Sequence, residues 1–296
     1  MMVLNMIDRC RNLFFRFYNA YQNSFAWIKY SFSNYEYVKI LKTNKIFKNL
    51  FNESRCFILG NGPSLNSVDF TKLSDEYVFT VNQIARRNDF NSLKSNFHFF
   101  ADTFFYNLDE TKEDAEVLDV IKRVKTHDNN PMVFFPINAF EFIKKNGLDK
   151  ELDIHFFKSE LIFGDFFEQD INYSKVVPSF NTVVQWCISM AIYMGFKEIY
   201  LLGCDNTGII STVKSVLKED VSEYTYDMTD NERKRMQKML NENTLYEHAL
   251  SYAYTLKGYS DLKKYCDKRG IRLYNCSNPT VIGSIEKISL DKVLKD

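Results

Sequence analysis

Residues 181–205 read NTVVQWCISMAIYMGFKEIYLLGCD, and the fold is decided there. Positions 181–195 are apolar for long enough to form a buried helix, and Gly195 is placed to stop it. The EIYLLG that follows is a short unbroken apolar run, the mark of a strand covered on both faces. A buried helix feeding such a strand is one αβ step of a mainly parallel sheet. Working outward, further strands are expected at Cys56–Leu59, Tyr77–Val81, Phe97–Ala101, Met132–Phe135, Ile154–Phe157, Ile199–Leu202 and Arg272–Asn275. One or two charged helices are expected over 230–269, and no repeat of 20–50 residues interrupts the pattern. The expected fold is α/β, a Rossmann-like, mainly parallel sheet flanked by helices.

Composition sets the outer limits. The chain has 296 residues, room for one large α/β domain. Its 38 basic and 38 acidic side chains cancel, so no global field steers it towards nucleic acid. With 45% hydrophobic residues, 27 Phe and 18 Tyr, it can bury a substantial core and is not a disordered chain. The six cysteines contain no C-x-x-C pair, which argues against a zinc site or a disulfide framework and for reduced thiols. Neither a run of 18 apolar residues nor a secretory signal is found, so a cytoplasmic location is expected.

The charge balance is uneven along the chain. Residues 1–50 hold eight bases, Arg9, Arg11, Arg16, Lys29, Lys39, Lys42, Lys45 and Lys48, against Asp8 and Glu36 only. Aromatic side chains are interleaved with these bases from Phe14 to Phe32. A helical arm over 1–52 is therefore expected, preceding a catalytic-type domain over 53–296. Such an arm suits the inner face of an anionic membrane, or else packs on the domain or on another subunit.

Polar groups at the ends of the expected strands carry the chemistry. FILGNGPSL at 57–65 runs from a buried strand into Gly60-Asn61-Gly62-Pro63-Ser64. Glycines there let the main chain approach a phosphate, and Ser64 adds a hydroxyl; a purely structural turn reads equally well. As a dinucleotide fingerprint the stretch is a poor match, because Leu65 replaces the third glycine and Asn82-Gln83 stand where an acid is usual. Those two carboxamides follow YVFTV and can read a base or a sugar, or form a turn. Asp102 either binds a ribose hydroxyl or caps the next helix. Gly203 and Asp205 end the IYLL strand on the same rim. Among the histidines, His98 and His155 lie in apolar runs and read as structural, and His127 sits in the polar loop THDNNP. His248, on an expected helix after a polar segment, can serve as a general base.

The stretch 55–280 resembles the bacterial sialyltransferases of glycosyltransferase family 42, and a wider set of 6-hydroxymethylpterin diphosphokinase MptE-like proteins. GNGPSL after a strand, Asn82-Gln83, GFKEIYLLGCD at 195–205 and IRLYNCSNP at 271–279 carry the resemblance. It implies a lid, here about 206–245, over a crevice for a CMP-sugar. Asn61, Gly62, Ser64 and Asn82 would contact the nucleotide, and Gln83 and Asp102 join them as binding candidates by their strand-end positions. Asn181 and Thr182 stand where the family has Thr-Ser ahead of the buried helix, and Gly203 and Asp205 would line the floor. The implied reaction is direct displacement at the anomeric carbon by an acceptor hydroxyl deprotonated by His248. No metal or other cofactor is implied. The implied partners are a nucleotide sugar and a cell-surface glycan or glycolipid acceptor, with a homo-oligomer left open. The wider set implies a rival, ATP-dependent diphosphate transfer, whose Mg²⁺ would need Asp102 and Asp205. A non-catalytic, membrane-bound nucleotide-binding scaffold also remains open.

Overall fold

The computed structural model describes residues 2–107, 112–126, 129–216, 229–230, 233–234, 237–238 and 242–295. Among them, nine strands form one sheet: β1 Arg55–Leu59, β2 Tyr77–Val81, β3 Phe97–Phe99, β4 Met132–Pro136, β5 Asp153–Leu161, β6 Val176–Pro178, β7 Glu198–Leu202, β8 Arg272–Asn275 and β9 Glu286–Lys287. Every neighbouring pair is parallel, and the order is β6-β5-β4-β3-β2-β1-β7-β8-β9. Strands β1 to β6 thus step outward one after another, and β7 returns to pair with β1 on its other side. That reversal is the topological switch point of the sheet.

All seven expected strands are present. The two that a sequence reading misses are short edge elements: β6 has three residues and ends in Pro178, and β9 has two. Alternation along each strand sends successive side chains to opposite faces. Cys56, Ile58, Phe79, Phe97, Phe99, Phe134, Ile199 and Leu201 enter one core. Phe57, Leu59, Val78, Val133, Phe135, Tyr200 and Leu202 enter the other. The aromatic excess is spent largely in these layers, as in the stacked pairs Phe99–Phe134 and Phe100–Phe135.

The first core is covered by α5 Val183–Met194 and by the C-terminal half of α7 Leu245–Asp267. Helix α5 is buried on nearly all sides and ends at Gly195 with φ +95°. Its apolar character therefore reflects two-sided packing rather than amphipathicity. The second core is covered by short 3-10 turns, by α3 Lys112–Arg123 and α4 Phe140–Lys145, and by α8 Leu290–Val293. Helix α6, Gly208–Val216, follows β7 and packs against α7. Much of the expected lid, and His127, fall outside the described residues.

The expected arm has two parts. Helix α1, Met2–Ser33, lies against β5 and β6. Helix α2, Tyr35–Thr43, and the turn after it are built into the first core through Val38, Leu41 and Phe47. Buried Asn44 fastens that turn to the sheet, donating from Nδ2 to the carbonyls of Phe156 (2.7 Å) and Tyr173 (3.0 Å).

His98 is fully buried on β3, with Nδ1 2.8 Å from the Thr80 hydroxyl. Burial pushes its pKa down to about 3, from an ordinary 6.5. Burial also lowers the pKa of His155, against the pull of Asp153 at 3.1 Å. A histidine held neutral in the fold binds protons more readily once unfolded. Its stabilising contribution is complete above pH 6.5 and is lost as pH falls from there towards 3. The expected loss is about 1.4 kcal/mol per pH unit from His98. Urea unfolding at pH 7, 6 and 5 should show that decline, and His98→Gln should make it shallower; equal slopes would contradict this account.

Candidate functional site

In a sheet of this topology the crevice lies at the C-terminal ends of the strands flanking the switch point. Here those are β1 and β7, with β2 next to β1. The chain leaves β1 through Gly60-Asn61-Gly62 and β7 through Gly203-Cys204-Asp205. The two exits are hydrogen-bonded to each other: Gly60 N–H donates to the Leu202 carbonyl at 2.8 Å, and Gly62 N–H to that of Gly203 at 2.7 Å. A Cβ on Gly62 would lie 2.6 Å from the Gly203 oxygen and 2.7 Å from the Asp205 carboxyl carbon. Gly203 itself has φ +61°. The glycines are thus needed for one backbone to approach another, as the structural-turn reading of the sequence requires.

Asp205 ties the exits together. Its carboxylate is 1% exposed and accepts the backbone N–H of Ser64 at 2.7 Å and the Ser64 hydroxyl. Desolvation raises its pKa, and the two Ser64 donors offset part of that rise. The 3-10 turn Pro63–Ser67 therefore begins on an internal carboxylate. Ser64 and Asp205, both expected to meet a nucleotide, first satisfy each other. On the far side, Cys204 N–H donates to Ser277 Oγ, and Thr280 Oγ1 donates to the Cys204 carbonyl. The loop after β8 is thereby part of the rim. A cavity of about 600 Å³ opens there, bordered by Ser64, Gly203, Asn275, Ser277 and Asn278.

Around the switch point several carboxamides are left incomplete. Asn61 Nδ2 reaches the Val81 carbonyl at 3.4 Å, which brings the end of β1 to that of β2. Asn61 Oδ1, Asn82 Oδ1, Gln83 Oε1 and Asn206 Nδ2 are each buried without a hydrogen-bond partner among the described residues. Asn82 and Asn206 both hold left-handed backbone, at φ 46° and 55°. These groups lie just past three adjacent strands, so the rim they share is about 10 Å wide. An unpaired buried amide atom costs about 1–3 kcal/mol, so these four are the polar groups of the rim with hydrogen-bonding capacity left over.

The other expected residues lie around this centre. Asp102 is exposed at the end of β3 and accepts the Phe104 N–H at 3.0 Å, so it caps the following turn, the second of its two readings. It stands three strand spacings from β7, about 14 Å. One Mg²⁺ cannot be shared by Asp102 and Asp205, and this donor pair does not fit the ion. Among the described residues, no three of His, Cys, Asp and Glu gather as metal ligands.

Asn181 and Thr182 precede α5, which starts at the C-terminal rim because it leads from parallel β6 back to the start of β7. Asn181 N–H donates to Gln185 Oε1, Gln185 Nε2 to the Thr255 carbonyl, and the Thr182 hydroxyl lies 3.3 Å from that of Tyr259. Both residues therefore sit at the seam between α5 and α7. His248, Tyr252, Thr255 and Tyr259 form one stripe along α7 at helical spacing. Tyr252 shares a hydrogen bond with Thr212 of α6, and burial raises its pKa. With 23 residues α7 is about 34 Å long, whereas a four- or five-residue strand spans about 15 Å. Its buried C-terminal half packs on the sheet, and its N-terminal half, carrying half-buried His248, overhangs the rim. Tyr252, Tyr259 and Asn206 were not singled out from sequence as site residues. The stripe spacing on α7 was a usable signal for the two tyrosines.

Comparison with known proteins follows from this geometry. The chain is similar in fold to the sialyltransferase CstII from Campylobacter jejuni, solved with cytidine-5'-monophosphate. That match has 20% identity, covers 80% of this chain and 86% of that one, and has a TM-score of 0.43. It is also similar to the monofunctional alpha-2,3-sialyltransferase Cst-I of the same organism (17% identity, 81% of each chain, TM-score 0.45). The Maf glycosyltransferase of Magnetospirillum magneticum AMB-1 matches at 13% identity and TM-score 0.43, over 85% of this chain and 38% of that one. No curated protein matches significantly. Likeness of fold does not transfer chemistry. The family model described as 6-hydroxymethylpterin diphosphokinase MptE-like matches residues 29–208, which run from α1 through the β1–β7 switch point. The chain belongs to that MptE-like family.

Proposed function

We propose that the protein is a glycosyltransferase that takes a sugar from a nucleotide donor, CMP-linked in the favoured case, and passes it to a glycan hydroxyl. The observation that carries this reading is the set of unpaired carboxamide atoms of Asn61, Asn82, Gln83 and Asn206 at the switch point. Carboxamides offer donors and acceptors but no charge, which suits a base edge or sugar hydroxyls better than a bare phosphate. The preference for cytidine rests on the resemblance of GNGPSL, Asn82 and GFKEIYLLGCD to sialyltransferase motifs.

In this mechanism the acceptor oxygen attacks the anomeric carbon while the bond from that carbon to the phosphate oxygen breaks. His248 takes the acceptor proton, and the hydroxyls of Tyr252, beside α6, and Ser277, after β8, are assigned as neutral donors to the departing phosphate. No metal enters a step. The family's name favours a second reading, ATP-dependent diphosphate transfer. The separation of Asp102 from Asp205 weighs against it, because such transfer relies on carboxylate-held Mg²⁺.

A thermal-shift panel of CMP, UDP, GDP and adenine nucleotides, with and without EDTA, tests both readings. CMP should raise the melting temperature most, and EDTA should leave the shift intact. An ATP shift abolished by EDTA would instead favour the diphosphokinase. Asn61→Ala should weaken CMP binding about 10-fold to 100-fold, the effect of one lost hydrogen bond to a buried group. His248→Ala should leave CMP binding unchanged and reduce transfer by about 100-fold or more. A variant that transfers at the wild-type rate removes His248 from the reaction.

A further inference from the structure

Helix α1 presents two opposite faces. On one, Asn23 is buried and bonds Ile162 in both directions, through Oδ1 to its N–H (2.9 Å) and through Nδ2 to its carbonyl (3.2 Å). Asn19 donates to the same carbonyl, and Phe15 stacks on Phe166. On the other face stand Phe14, Tyr18, Tyr21, Phe25, Ile28 and Phe32, spaced 4-3-4-3-4 and between 51% and 87% exposed. At 100° per residue these six fall within about 40° of a single line along the helix. Asn19 and Asn23 project from the other side. The contacts with the 162–168 segment therefore fix which face of α1 looks outward.

We infer that this stripe lies in the interface of an anionic lipid bilayer, with α1 parallel to the surface. Five of the six side chains are aromatic, and rings, above all the polar-tipped ring of tyrosine, favour headgroup depth. Arg11 and Lys29 are eighteen residues apart, five full turns, so both flank the stripe on one side. From Arg9 to Tyr35 the chain contains no carboxylate, and residues 1–50 carry a surplus of six positive charges. The same 4-3 spacing would suit a seam with a second copy of α1. Two such arms would then set like charge beside like charge, whereas an anionic membrane complements it. Because α1 covers the β5–β6 edge, the sheet stands with that edge nearest the bilayer.

The test uses the full-length chain and sedimentation with two vesicle preparations, phosphatidylcholine alone and phosphatidylcholine with ~30% phosphatidylserine. The expected result is sedimentation with the anionic vesicles only, weakened by salt. The double variant Tyr21→Glu/Phe25→Glu should lose at least 10-fold in partitioning while its melting temperature stays at the wild-type value. Equal binding to neutral vesicles, or a double variant that sediments like wild type, overturns the inference. So does a wild-type chain that ignores both vesicles and forms a dimer by light scattering, which the same variant converts to monomer. CMP binding is measured in parallel, so a failed membrane contact leaves the transferase reading separately testable.

Discussion

The architecture turns on the contact between the exits of β1 and β7. Two strands 143 positions apart in sequence lie side by side, and the chain must leave both at the same rim without collision. Gly60, Gly62 and Gly203 give the necessary closeness, and the Asp205 carboxylate bridges to Ser64 across the gap. Burying that carboxylate carries a desolvation cost, visible in its raised pKa. The Ser64 N–H and hydroxyl offset it with charge-assisted bonds. With this joint fixed, the carboxamides of Asn61, Asn82 and Asn206 are held on one rim.

What could be read in the sequence follows from how local its cause is. Strands such as IYLL and VFTV declare themselves through burial on both faces, and α5 through its unbroken apolar run. Strand β6 does not, because VVP is too short to form a pattern and is paired by its position beside β5. The segments after β1 and β2 form 3-10 turns, Pro63–Ser67 and Asn82–Arg86, where a Rossmann-like reading leads one to expect helices. Each of those links holds two short 3-10 turns, Pro63–Ser67 with Phe70–Leu73 and Asn82–Arg86 with Phe90–Ser92, in place of one crossover helix.

The candidate site divides in the same way. That Asn61, Asn82 and Asp205 sit at strand ends is visible from the motif that each strand runs into. That Ser64 is satisfied by Asp205, 141 residues later, is not, since it depends on β7 inserting beside β1. The glycine turn illustrates the difference. Its residue types mark a need for close approach, and only the long-range pairing of β1 with β7 shows that another stretch of backbone is one of the approaching groups. Asp102 shows the reverse case, in which a local capping bond accounts for the residue and the long-range role is unnecessary.

Helix α7 is built as a propped lever. Its root, from Thr255 to Cys266, is set in the core through Tyr259, Leu262 and Tyr265. On the other half Leu245, Tyr246, Leu250 and Tyr254 are exposed, and Tyr252 rests against Thr212 of α6. His248 lies eleven residues from Tyr259, a lever arm of about 16 Å. A pivot of only 10° at the root would carry the imidazole about 3 Å, roughly the span of a hydrogen bond. The position of His248, the proposed base, therefore depends on contacts near Gln185 and Tyr259, deep in the body, together with the Tyr252–Thr212 contact to α6.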